Sequence, residues 1–217
     1  LAVLNTQAEY ALRQDHIGEM RAAITALHRS LGSAIRLTNQ LLSLSRAEPI
    51  NGLMLTRQPV DLAALARDTV IELLPLAARK SIDLGLEGTE QPVTVAGNPV
   101  LLREMLTNLI DNALHYAGRG ATVTVRVYIS APSMAALVVE DDGPGVPEAH
   151  MGDLFARFWR GSDKPGGCGL GLSIVEEIAL RHGGETLAET AGKQGLRVGM
   201  RLPLAENPSL SAPTTRS

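Results

Sequence analysis

Gly167, Gly169 and Gly171 alternate through Lys164-Pro-Gly-Gly-Cys-Gly-Leu-Gly-Leu172, and the chain runs on directly into the helix-like Ser173–His182. Glycine accepts positive φ and leaves room for a ligand against the backbone. A helix that starts there offers unpaired N–H groups and a partial positive charge, which suit phosphate. A second stretch, Val139-Glu-Asp-Asp-Gly-Pro-Gly-Val-Pro147, follows the apolar run Met134–Val139 and so lies at the end of a strand. Its glycines flank a proline and force a tight turn with Asp141 at the mouth. A fixed carboxylate there can accept a hydrogen bond from an exocyclic amine such as that of adenine. A third stretch is Leu101–Tyr116, in which Leu102, Met105, Leu106, Leu109, Ile110 and Ala113 recur at helical spacing. Asn108 and Asn112 stand one turn apart on that helix. Amides are poor helix formers, and a neutral amide oxygen suits Mg²⁺, which prefers oxygen ligands and fills its shell with water and phosphate. Taken singly, each stretch has a bland alternative: a helix entry, a surface Asp-Gly turn, a pair of satisfied amides.

Together and in this order, Asn108–Asn112, Asp141-x-Gly-x-Gly145, Phe155-Ala-Arg-Phe158 and Gly167-x-Gly-x-Gly171 resemble the N, G1, F and G2 boxes of sensor histidine kinases. Arg36-Leu-Thr-Asn-Gln-Leu-Leu-Ser-Leu-Ser-Arg-Ala-Glu48 resembles the end of the family's dimerisation hairpin. The likeness spans about residues 1 to 204. It implies an α+β chain: a helical hairpin over 1–50, forming a dimeric four-helix bundle, then an α/β sandwich of the Bergerat ATP-binding type over 51–205. The Pro-, Ser- and Thr-rich residues 206–217 read as a disordered tail.

The same likeness implies ATP and Mg²⁺ as ligands. Asn112 matches the metal-binding amide, and Asn108 its companion near the phosphates. Tyr116 matches a position lining adenine, and Asp141 the acceptor of the adenine amine, with Gly143 and Gly145 allowing close approach. Arg160 and Lys164 are phosphate candidates in the lid. Gly167, Gly169, Leu170 and Gly171 supply lid mobility and helix-start amides. Phe155 and Phe158 are expected to anchor the lid through apolar contacts. His115 is a weaker phosphate candidate, Asp142 has no assigned role, and Cys168 reads as a small loop residue. Relatives that hydrolyse ATP unaided carry Glu four residues before the metal-binding amide. Here Asn108 stands there and cannot act as a general base.

No residue is expected to be the phosphoacceptor. In the family, a His with acidic, Arg, Thr and Pro neighbours precedes a stretch like Leu1-Ala-Val-Leu4, and neither His16 nor His28 has those neighbours. The expectation is a piece that begins after that histidine, unable to phosphorylate itself alone. Its partners would be a second copy through the hairpin and the receiver domain of a response regulator. A membrane would be met only through a preceding part of a protein in the bacterial inner membrane, the piece itself being cytoplasmic. The alternative is a docking module with a degenerate nucleotide site. A serine kinase of the anti-sigma type is disfavoured by the hairpin.

Composition fits these expectations. The 217 residues are 45% hydrophobic but only 3% aromatic, so a core must rest on Leu, Val, Ile and Ala. A net charge of −3 gives no basic face for nucleic acid. One cysteine excludes an internal disulfide. No run of about 18 apolar residues is present. Ile24, Leu27, Leu31, Ala34, Thr38, Leu41 and Ser45 keep heptad spacing. Asp61 caps a helix to about Lys80, and Asn98-Pro99 caps and opens the next. Residues 49–60 read as a linker plus a short strand, and further strands are expected near 81–86, 92–96, 121–130, 134–140, 185–191 and 195–203. A short helix is expected near 150–157, and a longer one over 171–182 ending at Gly183-Gly184.

Overall fold

Apolar stripes on three helices and apolar alternation on the strands must be buried together, and a helical layer on one mixed sheet does this. The computed structural model describes residues 57–88, 91–159, 169–192 and 194–205. The hairpin 1–50, the linker 51–56, Arg160, Lys164, Gly167, Cys168 and the tail 206–217 lie outside them.

The elements run β1 (Gln58–Asp61), α1 (Leu62–Lys80), β2 (Asp83–Gly88), β3 (Thr94–Gly97), α2 (Pro99–Tyr116), β4 (Thr122–Ala131), β5 (Met134–Asp141), a 3-10 helix (Glu148–Asp153), α3 (Gly171–Arg181), β6 (Glu185–Thr190) and β7 (Leu196–Pro203). Five strands form one sheet in the order β2-β4-β5-β7-β6. Only β2 and β4 are parallel; the other pairs are antiparallel. β1 and β3 pair antiparallel as a separate ribbon, which touches the end of β7 through a Val95–Leu204 bridge.

The expected caps are present. Asp61 Oδ1 accepts the Ala63 N–H at 2.9 Å and also the Val93 N–H at 3.2 Å, so one carboxylate starts α1 and ties it to the chain entering β3. Asn98 Oδ1 accepts the N–H groups of Val100 and Leu101, at 3.0 and 3.2 Å, with Pro99 in the first turn. The core forms where Leu102, Met105, Leu106, Leu109 and Ile110 of α2, each fully buried, meet Val123, Val125, Leu137, Val139 and Met200 of the sheet. No aromatic ring is needed there.

The expected helix near 150–157 is instead a 3-10 helix over Glu148–Asp153 with turns after it. None of its six residues is buried, so no apolar face holds an α-helix against the sheet.

Candidate nucleotide site

Asn108, Asn112, His115 and Tyr116 are all half-buried and follow one another along one side of α2, whose other side is core. Asn108 Nδ2 donates to the Glu104 carbonyl at 3.0 Å. That bond fixes the amide and leaves Oδ1 turned towards α3, 3.5 Å from where a Cβ on Gly171 would stand. The Asn helix and the start of the glycine helix are therefore neighbours. Leu170 and Gly171 form that start. No side chain caps it, and Ser173 Oγ turns back to the Leu170 carbonyl at 2.9 Å. The first N–H groups of α3 remain available to an anion.

Asp141 closes β5 and is 7% exposed. Its Oδ1 accepts the Gly143 N–H at 3.0 Å. Burial raises its pKa above the ordinary carboxylate value, against the hydrogen bonds from the Gly143 and Leu196 backbone. Gly143 is packed so tightly that a Cβ there would lie 2.6 Å from Ala117 Cα and 2.8 Å from Asp141 Oδ1. Only a bare backbone lets the turn reach the end of α2, one residue past Tyr116. A Cβ on Gly145 would meet the backbone of Gly195 at 2.9 Å, so the turn also rests on the entry to β7. Asp142, next in sequence, points elsewhere: its Oδ1 accepts the Thr122 N–H at 2.8 Å. Tyr116 and His115 meet edge to face, with centroids 4.7 Å apart.

The Phe box and the last glycines meet at the base of the lid. The Phe158 N–H donates to the Gly169 carbonyl at 2.8 Å, and both residues have positive φ, 66° and 70°. A Cβ on Gly169 would fall 2.6 Å from the Phe158 carbonyl carbon. Phe155 is half-buried, but Phe158 is 70% exposed. The anchoring expected of the Phe158 ring is thus carried by its backbone. Arg160 and Gly167 belong to the segment outside the described residues.

The donors present fit Mg²⁺ and a triphosphate. Among the described residues no three His, Cys, Asp or Glu side chains converge to hold a metal ion. A metal here would rest on amide oxygens and phosphate, a set Mg²⁺ accepts. Sequence reasoning missed Ala117, Gly195 and His182. The first two matter only through backbone contacts made across the fold, and His182 bonds a residue 84 positions away.

Known proteins are similar to this chain in sequence and fold. Residues 97–206 match the family described as histidine kinase-, DNA gyrase B- and HSP90-like ATPase. The sensor protein QseC of Salmonella typhi is 34% identical over 206 residues, which are 93% of this chain and 44% of that protein. The chain thus spans less than half the length of this curated relative. Among solved structures, the mycobacterial sensor histidine kinase MprB is 30% identical with a TM-score of 0.61, covering 68% of this chain and 98% of that one. Full-length ShkA in complex with AMPPNP is 25% identical with a TM-score of 0.72, covering 94% of this chain and 43% of that one. On these likenesses the chain belongs to the sensor histidine kinases, and its folded core is their ATPase domain.

Proposed function

We propose that this chain binds Mg²⁺–ATP between α2, the Asp141 turn and the start of α3, and presents the γ-phosphate for transfer to a histidine. The phosphoryl group would leave ATP as ADP is released, form a bond to the imidazole nitrogen, and pass on to an aspartate of a response regulator. The observation that carries this reading is the buried Asp141 carboxylate, joined through Gly143 to the end of the Asn108–Asn112 helix. The ATP analogue bound by ShkA supports it.

Asp141 accepts the adenine amine, Gly143 and Gly145 let the ring approach, and Tyr116 lines it. Asn112, with Asn108, would hold Mg²⁺, which when bound offsets the triphosphate charge. Gly169, Leu170 and Gly171 set the first amides of α3 against the phosphates, with Arg160 and Gly167 contributing from the lid. Asn108 cannot deprotonate water; its Nδ2 donates to the Glu104 carbonyl and its Oδ1 is a neutral amide oxygen. ATP is therefore held for transfer rather than hydrolysed quickly.

Residues 51–205 are read as the ATP-binding domain, while the dimerisation hairpin expected over 1–50 and the tail 206–217 lie outside the described residues. The hairpin brings two copies together and receives the response regulator. No helix among the described residues is long and apolar enough to cross a membrane. Its likeness to sensor kinases favours a cytoplasmic place for this segment in a protein of the bacterial inner membrane.

Calorimetry of ATP with and without Mg²⁺, on wild type and Asp141→Ala, tests the site. Mg²⁺-dependent binding that is lost in the variant supports it. No binding by the wild type at millimolar ATP would sink it, and a docking role would take its place.

A further inference from the structure

His182, at the C-terminal end of α3, is 3% exposed, and both ring nitrogens are engaged. Its Nδ1 lies 2.7 Å from the Ile178 carbonyl oxygen, and its Nε2 accepts the Asn98 backbone N–H at 3.1 Å. A carbonyl can only accept and an amide N–H can only donate. The two bonds therefore require the neutral imidazole with its proton on Nδ1. Asn98 is the residue whose side chain caps α2. Gly97, just before it, makes the cradle: a Cβ there would stand 3.0 Å from the imidazole Cδ2. Beside the bridge, Arg57 Nη2 donates to the Arg181 carbonyl at 2.6 Å, fastening the strand that enters from the linker.

Helices α2 and α3 pack side by side, with Asn98 against His182 at one end of the contact and Asn108 against Gly171 at the other. The rise from Asn98 to Asn108 is about 15 Å, and that from Gly171 to His182 about 16 Å. The two helices run antiparallel, and these two spans match in length, bonded through His182 at one end and facing the ligand at the other. We propose that His182 is a positioning residue for the nucleotide site, its neutral imidazole bridge setting how far α3 slides along α2 and so the gap between Gly171 and Asn108. The inference rests on reading those helix ends as phosphate- and metal-facing.

Protonation would turn Nε2 into a donor facing the Asn98 donor, and the bridge would part. Burial holds this imidazole below its usual range, and Arg57 adds to the effect against the Ile178 bond. No nearby acid compensates. On α3, Glu177 is paired with Arg181 at 2.7 Å, and on β6 Glu185 is paired with Arg201. The first turn of α2 has no acidic residue, its Arg103 faces Asp68 and Glu72 of α1, and β3 is uncharged.

The test compares the 217-residue chain as wild type, His182→Gln and His182→Leu between pH 5.5 and 8. Two quantities are read: the thermal midpoint without nucleotide and the calorimetric Kd for Mg²⁺–ATP. In the wild type the midpoint should fall as pH drops below about 6.5, and the Kd should worsen at lower pH, once the folded imidazole itself takes a proton. His182→Gln keeps a donor and an acceptor but does not titrate, so it should match the wild type at pH 7.5 and lose less than the wild type below. His182→Leu, still folded, should bind about fivefold or more weakly, the low end of coupling between linked sites. Parallel pH profiles for wild type and His182→Gln would overturn the proposal, as would wild-type affinity in a folded His182→Leu. If the Leu variant does not fold, the Gln profile decides alone. A wild type that never binds ATP overturns the nucleotide reading, and the positioning role with it. The nucleotide-free midpoints then still report whether the bridge exists.

Discussion

Asp141 is carried by the fold at a cost. Burial raises its pKa, the hydrogen bonds from the Gly143 and Leu196 backbone oppose this, and Asp142 and Glu140 add repulsion. A carboxyl whose folded pKa lies above its unfolded value contributes most when protonated, and that contribution is lost as pH rises through the folded pKa. At neutral pH the ionised form is therefore a liability that a nucleotide amine would relieve. Asp141→Asn keeps an oxygen for the Gly143 N–H and removes the charge. The expected outcome is a thermal midpoint higher by roughly 2–4 °C at pH 7.5, about 1 kcal/mol for a domain of this size. The gain should shrink as pH falls through the folded pKa of Asp141, while ATP binding is lost at every pH. A lower midpoint for the nucleotide-free variant would show that the carboxylate is paid back within the apo fold. Asp141 was legible in sequence because its partner Gly143 is two residues away in the same turn. The role of His182 was not, because nothing near it in sequence betrays a bond to Asn98.

The contact between the Asp141 turn and the end of α2 joins the two halves of the site, and it has no slack. A Cβ at Gly143 would press on backbone, the Ala117 Cα at 2.6 Å and carbonyl oxygen at 3.0 Å, which cannot rotate away as a side chain could. Gly143→Ala should therefore separate the turn from the helix, costing about 1–3 kcal/mol as overpacking does. ATP affinity should fall at least as far as stability. Denaturant unfolding alongside calorimetry checks this, and an unchanged Kd would mean the turn and the helix do not act together on the ligand. By contrast, Leu106→Ala, in the fully buried face of α2, should cost about 2–5 kcal/mol through its cavity. The helices were readable because apolar spacing and caps are local: Asp61, Asn98 and Pro99 start α1 and α2 as their types require. The ribbon of β1 with β3 was not, since Val60 and Val95 pair across a whole helix. The positive φ of Phe158 was also hidden, because a residue other than glycine gives no sign of it in sequence.

Across the whole sheet, on the face away from the helices, charged side chains form one row through all five strands: Glu87, Arg126, Glu140, Arg197 and Glu189. Glu140 is its centre. It accepts Arg197 Nε at 2.9 Å and Nη2 at 2.8 Å, and it lies 3.3 Å from Arg126 Nε. Its side chain is 22% exposed, whereas those of Glu87 and Glu189 at the ends are 61% and 51% exposed. Exposed pairs contribute little, and half-buried bidentate pairs more. Glu140→Gln would leave two guanidinium groups on neighbouring strands with no charge between them. It would also remove a like charge beside Asp141, but successive strand residues point to opposite faces, so the arginine contacts dominate. The expected outcome is a midpoint lower by roughly 2–4 °C in dilute buffer. The loss should diminish in 1 M salt, where the screening length is about 3 Å. Glu189→Gln, at the rim, should stay within about 0.5 kcal/mol of wild type. Equal losses for the two variants would mean the row is five independent surface charges. A larger, salt-sensitive loss at Glu140 would mean that the outer face is tied together by charge, as the inner face is by Leu, Val and Met.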